Sequence, residues 1–239
     1  MQMRNDMMDD WSRTAEQIML STIENKIRIL AITSPYRGAG VTTVARGLAK
    51  VFAQSGRKTL LMDLSGAAPV GGALAEWAPG EPLPPGAIVS GPDGLAVLSV
   101  ARGTTTRSHF NNVELLQAAF QRDFFGYNSI VVDLPALDNI EAGSLNPVVI
   151  ARAADAVFVV ALTGYTARDD LAAASQKLRQ VGAPVSGVIM NDQYCATLGE
   201  EIAAVSQKRL APIFPRLARS IASKAQSSTY LNRNFRIAG

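Results

Sequence analysis

Residues Ile27 to Ala45 read IRILAITSPYRGAGVTTVA, and this stretch decides the fold. Its first part, Ile27–Ser34, is a nearly continuous apolar run of strand length, as expected for a strand buried on both faces. Gly38 and Gly40 follow at once. Thr42 then opens a segment, Thr42–Ser55, that carries Val44, Leu48, Val51 and Phe52 at helical spacing and is stopped by Gly56. A buried strand that turns through glycines straight into a helix can surround an anion, because backbone N–H groups and the positive end of the helix dipole point into the turn. Loops of this kind that work on a nucleoside triphosphate end Gly-Lys-Ser/Thr, the lysine reaching the β- and γ-phosphates and the hydroxyl holding Mg²⁺. Here the run is Gly40-Val41-Thr42-Thr43. Glycines and hydroxyls are kept, but valine supplies neither charge nor hydrogen bond, and its presence removes transition-state stabilisation that a lysine would give. Arg37 is a cation in the same loop, although not at the lysine's position. Two readings stand side by side at this point: an ordinary tight turn starting a helix, or a phosphate cradle of Arg37, Gly38, Ala39, Gly40, Val41, Thr42 and Thr43.

Outward from this loop the pattern repeats. Thr59–Leu64, Gly94–Val100, Ser129–Leu134, Ala156–Leu162 and Val185–Asn191 are further short apolar runs. Helical patterns lie between and after them at Asn112–Phe125, Thr166–Val181 and Leu198–Leu210. That order predicts an α/β protein, a doubly wound three-layer sandwich with a mostly parallel central sheet. Trp11–Asn25 reads as an additional N-terminal helix, and Pro79–Pro92, rich in Pro and Gly, as an irregular surface loop. The expected organisation is an N-terminal helical extension over 1–26, the main domain over 27–211, and a basic C-terminal helix and tail over 212–239. In that tail Ile213, Phe214, Leu217 and Ile221 form one apolar face expected to pack on the domain.

Composition narrows the function classes. At 239 residues the chain is long enough to bury a substantial core. Cys195 is the only cysteine and His109 the only histidine, which excludes an internal disulfide and a Cys/His zinc site. His109 lies in a polar stretch, Thr104–Asn112, and is expected as a surface or loop residue, with Cys195 a buried or inert thiol. No apolar run reaches the roughly 18 residues that cross a bilayer, and Met1–Asp10 has no apolar secretion core, so a cytoplasmic protein is expected. The net charge of +3 is unevenly placed. Lys208, Arg209, Arg216, Arg219, Lys224, Arg233 and Arg236 fall after Ser206 with no acidic residue among them, which leaves a mildly acidic body. A basic end of this kind suits an anionic surface or acidic partner. The modest excess and the lack of any reader motif argue against nucleic acid.

Three stretches together carry a family likeness: the loop, Leu60-Leu61-Met62-Asp63-Leu64, and Ile130-Val131-Val132-Asp133-Leu134-Pro135. They resemble the ParA/MinD-type deviant P-loop ATPases, and within them most of all the bacterial tyrosine-kinase-like ATPases of capsule and exopolysaccharide assembly. Those proteins carry TS-x-x-P-G-x-G-K-S/T after the first strand, then LLIDxDxRxP, then DxVxxDxPP. The likeness runs from about Ile27 to Asp192 and implies a P-loop NTPase fold. It also implies that ATP or ADP with Mg²⁺, where bound at all, would sit on this loop. By the same likeness Asp63 would activate the nucleophile and hold Mg²⁺ through water, Asp133 and Thr42 would support Mg²⁺, and Asn191, ending Gly187-Val188-Ile189-Met190-Asn191, would read adenine.

The departures from the family are systematic. Val41 replaces the loop lysine, and Tyr36 stands where ParA/MinD proteins carry an additional signature lysine. After Asp63 the second aspartate and the arginine are missing from Leu64-Ser65-Gly66-Ala67-Ala68-Pro69. Glu16–Thr22 lacks the arginines that promote ring assembly in the relatives, and Tyr230 stands in place of a C-terminal tyrosine cluster. The resemblance with its losses implies a pseudo-ATPase: a regulatory or scaffolding subunit beside a membrane-bound polysaccharide synthase, export or co-polymerase protein, peripheral at the inner membrane, with homodimers as in the family. An ATPase with a substitute for the lysine, and a ParA/MinD-like spatial organiser, are the alternatives.

Overall fold

The computed structural model describes residues 2–66, 74–101, 103–138, 145–192, 202–203, 205–206, 208 and 214–228, with backbone alone for 2–10, 104, 105, 107, 216 and 226. Ala67–Pro69, Cys195, Arg209, Ile213, Tyr230, Arg233, Arg236 and most of the expected helix over 198–210 lie outside the described residues. The chain divides into two compact units, Met1–Asn191 and Asp192–Gly239.

The first unit opens with α1 (Gln2–Glu24), then β1 (Ile29–Thr33), α2 (Val41–Gln54) and β2 (Thr59–Asp63). Next come β3 (Ile88–Ser90), β4 (Ala96–Ser99), α3 (Thr104–Phe110), α4 (Val113–Arg122) and β5 (Ser129–Asp133). It closes with α5 (Pro147–Arg152), β6 (Ala156–Leu162), α6 (Arg168–Gln180) and β7 (Val185–Asn191). The strands make one seven-stranded sheet in the order β3-β4-β2-β5-β1-β6-β7, and only the β3–β4 pair is antiparallel. The doubly wound α/β expectation is met.

Both sheet faces are covered, which is why the strands read as unbroken apolar runs. Leu30, Ile32, Leu61 and Val131 pack with Ala15 and Ile18 of α1 and Val44, Leu48 and Phe52 of α2. The alternate residues Ala31, Leu60, Met62, Ile130 and Val132 pack on the other face with Phe110, Leu116, Phe120, Ile150 and Leu178 from α3 to α6. Asp63 and Asp133 continue the series of Leu61 and Val131, so strand alternation places both carboxylates on the α2 face.

Three sequence expectations change. The stretch over 79–92 is not irregular throughout: Ile88–Ser90 hydrogen-bonds antiparallel to β4 as an edge strand, Ile88 opposite Leu98. A three-residue strand is too short to show a period, which hides it in the sequence. His109 is not in a loop but on α3, with Nδ1 4.0 Å from Glu81 Oε1, next to the fully buried Phe110. In the second unit, α7 (Pro215–Ser227) buries Ala218, Ala222 and Ala225 at helical spacing, while Phe214 and Leu217 are 57% and 52% exposed. The face chosen by side-chain size is therefore largely the outward one. Small residues mark the buried stripe.

Candidate functional site

All the parallel strands deliver their carboxyl ends to one edge of the sheet, and β1 lies between β5 and β6 where the winding reverses. Doubly wound sheets bind ligands in the crevice at that point. The loop of residues 34–40 leaves β1 there. Gly38 and Gly40 sit at φ 85° and 87°, in the left-handed region that costs a Cβ-bearing residue about 1–2 kcal/mol. Gly40 is also the N-cap of α2, and no side chain caps that helix. By contrast Asn112 and Asn146 cap α4 and α5 through their own side chains. The N–H groups of the first turn of α2 thus open onto the loop, as an anion site requires.

The loop is tied down on several sides. Ser34 Oγ donates to the Tyr36 carbonyl at 2.6 Å, and Asn191 Nδ2 donates to the Ala39 carbonyl at 2.8 Å. That second bond brings the C-terminal end of β7 against the loop. Tyr36, Arg37 and Gly38 are exposed, whereas Ala39 is buried. The Asp170 carboxylate of α6 lies near enough to the exposed Tyr36 hydroxyl to raise its pKa above the usual phenol value. Val41, at the loop-lysine position, is half-buried and packs with the apolar cluster under α2. Thr42 is half-buried and Thr43 exposed.

Asp63 and Asp133 face each other in register on neighbouring strands. They are not equivalent. Asp63 accepts from the Ser65 backbone N–H at 3.1 Å, from Ser65 Oγ at 2.7 Å and from Ser99 Oγ at 3.5 Å. Asp133 is 1% exposed, and neither of its oxygens receives a well-formed hydrogen bond. Burial pushes its pKa up to about 7; the Asp63 charge adds to this, while the hydroxyls of Thr42 and Ser65 and the Arg46 charge oppose it. A buried, weakly hydrogen-bonded carboxylate, beside a second carboxylate and a threonine hydroxyl, is an oxygen-donor set that fits Mg²⁺. Thr42, Asp63 and Asp133 are the residues that would hold it. Among the described residues no group of three or more His, Cys, Asp or Glu side chains converges so as to hold a metal ion.

The sequence placed Asp63, Asp133, Asn191 and the loop at one end of the sheet, and the structure brings them together. Of the charges that shift Asp133 the one cation is Arg46, and its effect is the weakest of those that oppose burial. Sequence reading passed over Arg46 and two further residues, Ser65 and Ser99, which hold Asp63. Ser99 is the register partner of Asp63 on β4, a relation visible only once the β2–β4 pairing is known. Arg46 follows Thr42 by four residues on α2, and that spacing is the signal by which it could have been found.

Known proteins bear on this geometry. The chain is 28% identical over 186 residues to the tyrosine-protein kinase CpsD of Streptococcus pneumoniae, covering 70% of the chain and 77% of that protein. It is 29% identical over 210 residues to the CpsD of Streptococcus agalactiae, covering 77% and 82%. The kinase domain of the Escherichia coli tyrosine kinase ETK superposes with a TM-score of 0.64 at 20% identity, covering 75% of this chain and 74% of that one. The chain is thus similar in sequence to bacterial tyrosine-protein kinases and has the α/β P-loop NTPase fold of their kinase domains. MinD of Pyrococcus horikoshii complexed with Mg-ADP has the same fold, with a TM-score of 0.53 at 20% identity over 71% of this chain and 72% of that one. No family model matches the chain. No described helix is long and apolar enough to cross a membrane.

Proposed function

We propose that this chain is a non-catalytic member of the ParA/MinD-type P-loop ATPases: a cytoplasmic regulatory or scaffolding subunit of a bacterial exopolysaccharide synthesis or secretion machine, peripheral at the inner membrane through its partner. The observation that carries this reading is Val41. At the position where a working loop presents its lysine, the side chain is apolar and belongs to the core beneath α2. A phosphoryl group in flight spreads negative charge over its oxygens, and a site without the loop cation lacks the fixed positive charge that would stabilise it. Bound Mg²⁺ would supply Lewis-acid charge neutralisation at the phosphates. The chain's own residues do the rest. Gly38, Gly40 and the first turn of α2 offer N–H groups, Asp63 stays oriented by Ser65 and Ser99, and Asn191 holds the loop while bordering the adenine position.

The likeness to CpsD and ETK supports the choice of machine, since the tyrosine-kinase-like ATPases serve capsule and exopolysaccharide assembly. The expected partner is a membrane-bound synthase, export or co-polymerase protein. The proposed contact surface is the basic C-terminal segment, where Arg219 and Lys224 share α7 with the exposed Leu217. ATP turnover by the full chain with Mg²⁺ tests the reading. Release of phosphate at the buffer rate, unchanged by Asp63→Ala, is expected. A rate well above background that Asp63→Ala abolishes would overturn it.

A further inference from the structure

We propose that the amino-end edge of the sheet is a membrane-contact surface, on which Phe125 enters the interface of an anionic bilayer while Lys58 and Arg57 meet its headgroups. This edge is the opposite one from the loop of residues 34–40, because β1, β2 and β5 run parallel and all start here. The contact needs nothing of what the loop holds, and it belongs to the first unit and not to the basic C-terminal segment.

Helix α4 and strand β5 are joined by Asp123-Phe124-Phe125-Gly126-Tyr127-Asn128. The two phenylalanines go opposite ways. Phe124 is fully buried, edge-on to Trp77 with ring centroids 5.4 Å apart, whereas Phe125 is 77% exposed. Hydrogen bonds fix this connection. The Tyr127 N–H donates to the Phe124 carbonyl at 3.1 Å, and the Asn128 N–H to the Lys58 carbonyl at 2.8 Å. Arg28 donates through Nη2 to the Phe120 carbonyl at 2.7 Å and through Nη1 to the Phe124 carbonyl at 3.1 Å, so its charge rests on the carboxyl-terminal end of α4. With Phe124 anchored inward, the next ring is held out.

A lone exposed apolar side chain is ordinary on a protein surface. The cations beside this one set it apart. Arg57 Nη2 donates to the Asn128 carbonyl at 3.1 Å and its Nε to Ser129 Oγ at 2.9 Å, partners that carry no charge. Lys58 Nζ lies 5.3 Å from the centroid of the Tyr127 ring, and a Cβ on Gly126 would stand 3.4 Å from it, so the ammonium sits over the backbone next to Phe125. Among the described residues the side chains of Arg28, Arg57 and Lys58 form no ion pair. Two acids touch this group and both are engaged: Asp123 with Arg122 at 2.6 Å, and Asp155 with the N–H groups of Arg28 and Ile29. One protruding ring with unpaired cations beside it selects the occupant. A protein partner needs about 800 Å² of matching surface with several apolar anchors, whereas Phe125 is bordered by exposed Gln121, Arg122, Gly126 and Asn128. An anionic bilayer asks only for an apolar side chain that reaches the acyl boundary and for cations held close to the headgroups.

The test is co-sedimentation of the full chain, at low and high salt, with vesicles of phosphatidylcholine alone or mixed with phosphatidylglycerol. Wild type is expected on the mixed vesicles and not on the neutral ones. Phe125→Ser is expected to weaken that binding about tenfold, and Lys58→Gln about fivefold with a shallower salt dependence. Both side chains are exposed, so an unchanged melting temperature separates lost contact from lost fold. Phe125→Trp gives a readout that the basic C-terminal segment cannot produce. With lipids brominated on their acyl chains, its new indole is expected to be quenched on mixed vesicles, while in wild type Trp11 and Trp77, packed in the two cores, are not. Wild type that ignores the mixed vesicles, Phe125→Ser that binds them as wild type does, or an unquenched Phe125→Trp chain overturns the inference. Capture of polyglutamate in place of the vesicles would assign the edge to an acidic protein and overturn it too.

Discussion

Asp133 is an acid placed where its charge is poorly received. With its pKa raised from 3.8 to about 7, the folded chain keeps a proton that the unfolded chain gives up. As pH rises from about 4 towards about 7 the unfolded state deprotonates first, so stability falls across that window and levels off above it. Asp133→Asn removes the proton from the balance. Urea unfolding is expected to show the variant more stable than wild type at pH 8, by at most about 4 kcal/mol, and nearly equal to it at pH 4. A variant that gains nothing at pH 8 would mean that the carboxylate is solvated or partnered. At this scale the sequence disclosed what sits at strand ends, since an apolar run closed by a polar residue points to Asp63, Asp133 and Asn191 without any coordinates. It could not disclose Ser99 or the unequal state of the two aspartates. Those depend on β5 lying between β1 and β2, and on β4 lying beside β2, neighbour relations that chain order does not contain.

Elements add constraints that run against propensity. Gly47 lies in the middle of α2, where alanine is ordinarily better by about 1 kcal/mol. A Cβ there would come within 2.7 Å of Trp11 Nε1, because the indole of α1 lies on this glycine. Gly47→Ala is therefore expected to destabilise by about 1–3 kcal/mol in thermal or urea unfolding, the opposite sign from helix propensity. The end of α1 gives a second case. Lys26 has φ 54° and is the one described residue other than glycine in the left-handed region. Its turn is closed by the Ile27 N–H donating to the Thr22 carbonyl at 2.8 Å. Lys26→Gly is expected to raise the melting temperature, gaining about 1 kcal/mol from relief of the Cβ clash. An unchanged or lowered melting temperature would show that the lysine contributes contacts outweighing its strain. Helices α1, α2, α4 and α6 were legible because their apolar periods are long. Helix α5, at six residues, and β3, at three, were not, because neither lasts long enough to display a period.

At the scale of the whole molecule, two parts of the chain compete for the functional role. The site has the shape of a P-loop cradle but an apolar residue at the decisive position, whereas the net positive charge of the chain comes from the segment after Ser206. If catalysis were the function, the strand-end aspartate would matter to the cell and the basic segment would be incidental. If contact is the function, the order reverses. On the proposed role in exopolysaccharide assembly, the two are separated by replacing residues in the organism that makes this chain and measuring polymer output beside protein level. Asp63→Ala is expected to leave output close to wild type. Joint replacement of Arg219 and Lys224 by glutamine is expected to lower it several-fold, because both cations are exposed on α7 beside Leu217. Neither substitution removes a buried apolar contact, so a loss of output at constant protein level reports on the contact surface and not on folding. A collapse of output with Asp63→Ala alone would return the function to the nucleotide site.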